Sequence, residues 1–484
     1  MKTFMPESLK QRTAKGVSWS FAEQILTRGV NFVIGILIAR ILSPTDYGLV
    51  GMLGLFFSLS QLFIDGGLTG ALIRTKNPSE KDFSTVYLIN IGLSIFFYFL
   101  LFSCAPLIAD FYDQPLLKPL TRAIALIFIV SSVASIQGTL LTIRVDFKTK
   151  TYISIIASLG SGLTGIVCAY KGMGVWALVA QSLTSAGLIS LSTLCFVRWI
   201  PRLVFSVTSF KRLFSYSSKM LVSSCIHTIY QNCYPLFIGK QFSPADVGQY
   251  SRGGQFPGIV ESTITGALNR VAFPILSQIQ DDDKHLLNVY EKYIQLSCFL
   301  MFPIMMGLCG CARPLISILL KEQWLPCVPF MQILCFGKMI NIVTVINLNL
   351  LYVKGRSDLV LRLEIFKKTI AFTILFISMF FGLKGMCCGQ VLYAYIALYI
   401  NTYFTKKILG YSFLRQMKDI VPYFLLSSIV LVISFLSTIL IKNDIVSIFV
   451  SLAVCPFIYI VMARSMNLYA YQEALSLVRE RLHL

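Results

Sequence analysis

The chain is built from apolar runs long enough to cross a bilayer. Fourteen of them lie at about 17–40, 47–68, 83–109, 119–142, 152–170, 175–196, 213–239, 253–269, 293–312, 328–352, 363–383, 386–404, 420–441 and 445–463. In hydrocarbon every backbone N–H and C=O must find its partner inside the protein, so runs of about 20 residues are expected to be helices. The sequence does not show segments of about ten residues with alternating polarity, the mark of a membrane β-barrel. Charged residues make up 13% of the chain, where a soluble domain has about 25%. That is too few to cover a water-facing surface. The expected fold is an all-α polytopic membrane protein with about 14 transmembrane helices.

Charge placement orients these spans. The 42 Lys and Arg outnumber the 22 Asp and Glu, for a net charge of +20. With the N-terminus in the cytoplasm and successive spans alternating, 27 of the 42 fall on the cytoplasmic side and 9 on the other. The remaining six, Arg28, Arg122, Lys219, Lys338, Lys367 and Lys368, lie within spans. One missed span would invert the alternation downstream and erase the bias, so the positive-inside rule supports fourteen spans with both termini cytoplasmic. The rule also accounts for the net charge without nucleic acid, because no basic cluster is interleaved with aromatics. The N-terminal MKTFMPESLKQRTAKG has no apolar core followed by a small-residue cleavage site, so the first span is expected to be an uncleaved signal anchor. The 13 Cys are scattered, mostly inside apolar runs and without zinc-ligand spacing, and are expected to be reduced and packed.

A duplication organises the chain. Residues 43–48 read SPTDYG and residues 243–248 read SPADVG. In each, Ser can cap a helix, Pro fits the first helical position and Asp the third. Asp65-Gly-Gly-Leu-Thr-Gly-Ala-Leu-Ile-Arg74 matches Glu261-Ser-Thr-Ile-Thr-Gly-Ala-Leu-Asn-Arg270. Pro106-Leu107-Ile108 matches Pro314-Leu315-Ile316, and Lys171-Gly172-Met173 matches Lys384-Gly385-Met386. The four matches come in order and at equivalent topological positions. They predict two six-span lobes, 1–212 and 213–408, inserted the same way up, followed by two extra spans and a cytoplasmic tail over 409–484. Parallel repeats about an axis along the membrane normal are a transporter architecture with the substrate site between the lobes.

The two six-span lobes, the SPxDxG after spans 1 and 7, the DGGLTGAL ending of span 2 and the RLEIFKK stretch at 362–368 resemble the polysaccharide flippases of the multidrug/oligosaccharidyl-lipid/polysaccharide exporter superfamily. The resemblance covers essentially the whole chain and is strongest to the O-antigen, colanic acid and teichuronic acid exporter type. It implies export of undecaprenyl-diphosphate-linked oligosaccharide repeat units across the bacterial inner membrane, with polysaccharide polymerase machinery as a further partner.

Charged side chains inside the spans are the candidate site residues, since each costs roughly 2.5–3.5 kcal/mol at mid-bilayer and tends to face a wet cavity or a partner. Arg28 shares a polar stripe with Ser20, Gln24 and Asn31. Lys338 lies deep in span 10, Lys367 and Lys368 a few residues into span 11, and Lys219 at a shallow position in span 7. With the substrate that the resemblance implies, these five would bind the diphosphate and sugar headgroup; snorkelling or an internal ion pair is the alternative. Asp65, Glu261 and Glu23 are candidate ion-coupling carboxylates or ion-pair partners. Asp65 and Glu261 stand at equivalent places in the repeat, each about 14 Å of helix from the following Arg. No catalytic constellation, nucleotide-binding loop or metal set is read from the sequence, and no cofactor is expected beyond a coupling H⁺ or Na⁺. His285 after Asp281-Asp282-Asp283 reads as a solvated loop, and Trp176, Trp199 and Trp324 read as interface aromatics.

The expected activity is a flippase working by alternating access. Its rivals are a multidrug or organic-cation antiporter of the same fold, a lipid II flippase and, remotely, a membrane polymerase or ligase acting on lipid-linked sugars, for which the outer loops are short. Topology is checked with alkaline phosphatase fusions. Fusions after Lys354 and Lys406 should be inactive and fusions after Lys384 and Lys442 active; the opposite pattern would overturn the span count.

Overall fold

The structure, a computed structural model, describes residues 26–65, 67–75 and 78–482. The described residues form helices and contain no strand. In chain order these are α1 (Leu26–Ala39), α2 (Pro44–Met52), α3 (Gly54–Asp65), α4 (Leu68–Arg74), α5 (Glu80–Tyr112), α6 (Leu117–Ser132), α7 (Ser135–Ile143), α8 (Phe147–Tyr170), α9 (Trp176–Phe196), α10 (Val207–Gln241), α11 (Pro244–Gln278), α12 (Asp283–Gly310), α13 (Ala312–Leu320), α14 (Val328–Val353), α15 (Ser357–Met379), α16 (Gly382–Leu409), α17 (Phe413–Leu440), α18 (Asp444–Ser465) and α19 (Tyr469–Leu482). Nine helical stretches among the described residues are long and apolar enough to cross a membrane, or ten if α6 and α7, bent by 48°, form one span. The protein is therefore a multi-pass membrane protein. A helix overlaps each of the fourteen apolar runs, but α1, α10, α11 and α15 do not meet the same standard, through short described length or polar content. The figure of fourteen rests on the apolar runs and the charge pattern of the sequence.

The repeated hexapeptides open helices as their letters predict. The Ser43 N–H donates to Asp46 Oδ2 at 2.9 Å, and the Asp46 N–H donates to Ser43 Oγ at 3.3 Å, with Pro44 in the first turn. Ser243 and Asp246 repeat the reciprocal pair at 3.1 and 3.2 Å. Each box satisfies N–H groups that a helix start leaves without partners. Their glycines have a second task. A Cβ on Gly48 would collide with the Pro244 carbonyl oxygen, and one on Gly248 would collide with that of Pro44. The two copies thus cross backbone to backbone, an approach only glycine permits.

Two compact units divide the chain, Met1–Gly248 and Gln249–Leu484. In the first, Ile34, Ile38 and Leu42 pack on Ala169, Ala177 and Leu178, joining α1, α8 and α9. A second cluster runs from Leu72 through Val86, Ile136 and Ile153 to Leu213. Gly67, at φ 70°, separates α3 from α4 in the left-handed region that suits glycine. Pro106 lies inside α5 and removes the N–H that the Phe102 carbonyl would otherwise accept. Arg122 Nε–H donates to that carbonyl at 3.4 Å.

The second unit centres on α12, whose buried Ile294, Phe302 and Met306 pack with residues of α14, α17 and α18. A buried polar knot ties α17 in. Asn347 Oδ1 accepts from Tyr290 Oη at 2.6 Å, Thr405 Oγ1 at 2.9 Å and Gln416 Nε2 at 3.0 Å. Asn347 Nδ2 donates back to Gln416 Oε1 at 3.1 Å. Among apolar helices such bonds supply what a hydrophobic drive cannot, at roughly 0.6–1.7 kcal/mol each. Large apolar side chains such as Phe99, Leu163 and Phe449 are exposed, as a lipid-facing surface requires. Asn347→Leu is expected to lower the melting temperature of the detergent-solubilised protein by several degrees, consistent with about 1–2 kcal/mol lost. An unchanged melting curve would show that the knot adds no stability.

Candidate functional site

The membrane-embedded charges of the second unit gather on three helices. α11 contributes Glu261, and α14 contributes Lys338 and, three residues on, Asn341. Lys338 Nζ lies 2.7 Å from Glu261 Oε2, and Asn341 Nδ2 donates to Glu261 Oε1. The Glu261 side chain is 13% exposed, so it needs both partners, while Lys338 keeps 31% of its side-chain surface. Further along the same two helices, Asn269 Oδ1 accepts from Asn349 Nδ2 at 2.8 Å and Tyr293 Oη at 3.0 Å. α11 and α14 therefore meet along a polar seam.

α15 carries the second group. Lys367 and Lys368, 3% and 9% exposed, both reach back to Glu364. Lys367 Nζ is 2.5 Å from its Oε1, and Lys368 Nζ is 3.9 Å from its Oε2. The spacings i,i+3 and i,i+4 place all three on one helix face. Lys368 Nζ also lies 5.8 Å from the centre of the Tyr393 ring on α16. Glu364 was not singled out in the sequence, although it stands inside the RLEIFKK stretch, and its spacing to the two lysines is the signal that could have found it.

In the first unit, Arg28 is exposed on α1 and makes no ion pair with a carboxylate among the described residues. Asp65 ends α3, where its Oδ2 accepts from Gln61 Nε2 at 2.8 Å. The duplication therefore does not carry one environment into both copies. Asp65 sits at a helix break beside an amide, whereas Glu261 sits within the unbroken α11 against a lysine. Lys219 belongs to α10, but its side chain lies outside what the structure describes, as does Glu23.

Several expectations shift. Glu261 finds its cation in Lys338. Arg252, counted among the outer-face charges, lies inside α11 and is 7% exposed, with its guanidinium 5.4 Å from the Trp324 ring centre. Trp324 is fully buried, so it fills the core of the second unit and is not an interface residue. A short 3₁₀ turn, Glu322–Cys327, tucks it inward. Asp282 caps α12 through the N–H groups of Lys284 and His285, and Asp283 pairs with Lys354 at 2.6 Å. The acidic run is thus a cap and an ion pair. The 13 Cys are free thiols.

Over 94% of this chain and the whole of the other, the fold matches a structure titled lipid II flippase MurJ in an inward closed conformation, at TM-score 0.74 and 14% identity. It matches an inward-facing MATE-family multidrug transporter of the MOP superfamily at TM-score 0.65 and 14% identity, over 80% of this chain and 94% of the other. These likenesses give the fold, which is that of the MurJ and MATE-family structures.

Residues 37–329, more than half of the chain, match the family described as polysaccharide biosynthesis protein, and the chain belongs to that family. The lipopolysaccharide biosynthesis protein WzxC of Escherichia coli is 25% identical over 90% of each chain. The succinoglycan biosynthesis transport protein ExoT of Rhizobium meliloti is 27% identical over 70% of this chain and 69% of its own. The teichuronic acid biosynthesis protein TuaB of Bacillus subtilis is 24% identical over 73% and 74%.

Removing one member of a largely buried pair strands the other charge, and removing both does not. Lys338→Met and Glu261→Gln are each expected to cost roughly 1–3 kcal/mol, less than for a fully enclosed pair because Lys338 is partly exposed. The double variant should regain much of that loss. Thermal unfolding in detergent reads the cycle; additive losses would show that the pair is not coupled.

Proposed function

We propose that this protein is an inner-membrane flippase. It moves undecaprenyl-diphosphate-linked oligosaccharide repeat units, precursors of lipopolysaccharide, capsule or exopolysaccharide, from the cytoplasmic to the outer leaflet by alternating access. Membership of the polysaccharide biosynthesis family carries this reading. The names of the relatives, transport proteins for succinoglycan and proteins of lipopolysaccharide and teichuronic acid biosynthesis, agree with it.

The embedded charges supply the chemistry it requires. A lipid diphosphate is anionic and needs fixed cations in a medium of low dielectric. Arg28 offers a planar fork, and Lys338, Lys367 and Lys368 offer point charges. Glu261 and Glu364 hold these lysines in place, and an incoming phosphate competes with the carboxylate for the same ammonium. Lys219 is a further, shallower cation on α10. An organic-cation antiporter would need its acids open to the ligand, and the Glu261–Lys338 pair argues against that rival. The driving force is an ion gradient, H⁺ or Na⁺, with Asp65 as the carboxylate that serves it. The substrate and the membrane lipid are the principal partners, and a polysaccharide polymerase takes up the product. Both termini lie in the cytoplasm.

Deleting the gene tests the reading. Surface polysaccharide should be lost, and lipid-linked repeat units should accumulate on the cytoplasmic leaflet. Accumulation on the outer leaflet would make the protein a polymerase or ligase, and unchanged polysaccharide with new sensitivity to cationic drugs would make it an antiporter. In complemented cells Arg28→Ala and Lys338→Ala should each reduce export roughly tenfold to a hundredfold, as for a lost charge-assisted hydrogen bond of about 1.5–3 kcal/mol, with protein still in the membrane. Wild-type export by both variants would remove these cations from the binding site.

A further inference from the structure

A second basic site lies in the first unit, on residues not assigned to the candidate substrate site. Tyr98 of α5 and Lys118, Pro119, Arg122, Ala123 and Leu126 of α6 line an open groove of about 430 Å³. Lys118 and Arg122 are four residues apart, so they project from one face of α6, about 6 Å apart along its axis. Helical side chains lean toward the N-terminus, which brings the Arg122 head toward Lys118. No carboxylate among the described residues forms an ion pair with either.

Arg122 is held in position by the fold. Pro106 frees the Phe102 carbonyl, Arg122 Nε–H bonds it at 3.4 Å, and the guanidinium lies 4.1 Å from the centre of the Phe102 ring. One donor is used in this way, while the two Nη groups, the fork that grips phosphate, have no recorded partner among the described residues. Around the groove the surface is apolar and exposed, with Phe99 at 60%, Phe102 at 36% and Leu126 at 39%. That composition faces lipid. Two cations at the rim of a lipid-facing surface, with aromatic walls and no ion-paired carboxylate among the described residues, complement a phosphate carried on apolar chains.

We propose that this groove binds the headgroup of an anionic glycerophospholipid, of the phosphatidylglycerol type, in the leaflet that meets the loop between α5 and α6. Lys118 and the Nη groups of Arg122 take the phosphodiester, and the acyl chains lie along Phe99, Phe102 and Leu126. The proposal is independent of the flippase reading, because it concerns a resident lipid and not the cargo.

Native mass spectrometry of the full-length protein in detergent tests it, by titration with phosphatidylglycerol and with phosphatidylethanolamine. Phosphatidylglycerol should bind in preference. Lys118→Gln should weaken its binding about fivefold, and Lys118→Gln with Arg122→Ala about thirtyfold, as expected for basic residues each contributing about one charge contact at a membrane surface. Lys118→Arg should retain most of the binding. Arg122 also supports α5, so Lys118→Gln alone carries the test if the double variant does not purify as a folded protein. Equal affinity of wild type and Lys118→Gln would overturn the proposal, as would equal binding of the two lipids. Displacement by millimolar inorganic phosphate would make this a free-anion site, and preferential displacement by undecaprenyl diphosphate would give it to the carrier lipid. Either result would also overturn the phospholipid assignment.

Discussion

A peptide group in hydrocarbon has no water to bond to, and the rest of this structure follows from that constraint. It makes helices of the apolar runs. It also governs the places where a helix starts or breaks. Ser43 with Asp46, and Ser243 with Asp246, satisfy the first N–H groups of α2 and α11. Where Pro106 leaves the Phe102 carbonyl without a backbone donor, Arg122 supplies one from the next helix. In the second unit the same demand draws Tyr290, Thr405 and Gln416 onto Asn347 and binds α17 to the helices before it.

Charges obey the constraint more strictly. Lys338 is held by Glu261, and Lys367 and Lys368 by Glu364, because an isolated charge at that depth would cost more than the helix gains by burying it. On the flippase reading this pairing is useful as well as necessary. A lysine held by a neighbouring carboxylate is available to a phosphate that displaces the carboxylate, and it has a partner again once the phosphate leaves. Structural ion pair and substrate site are then two states of one group of residues.

Much of this was legible in the sequence wherever the determining interaction is local. The capping boxes and the position of nearly every helix depend on residues within one or two turns, and they stand where the letters place them. Glu364 was equally local and could have been read from its spacing to Lys367 and Lys368. Arg252 and Trp324 were misplaced because each stands just before an apolar run, where charges and tryptophans resemble a membrane interface. Only their packing shows that both side chains are buried in the protein. The likeness of Asp65 to Glu261 was real in sequence but did not extend to their surroundings, since a duplicated segment keeps its letters while its neighbours diverge.

The sequence by itself determined the helical class and the helix starts, and it holds the repeated segments and the Lys and Arg bias from which two lobes and an orientation are expected. Each of these is set by hydropathy, charge or hydrogen bonds between near neighbours along the chain. The tertiary structure alone paired Glu261 with Lys338, since they lie on different helices and no periodicity links them. It also decided why the repeated motif ends in glycine. Gly48 and Gly248 each leave room for the carbonyl of the proline that opens the other copy, and a close approach between distant backbones leaves no mark in either segment read alone.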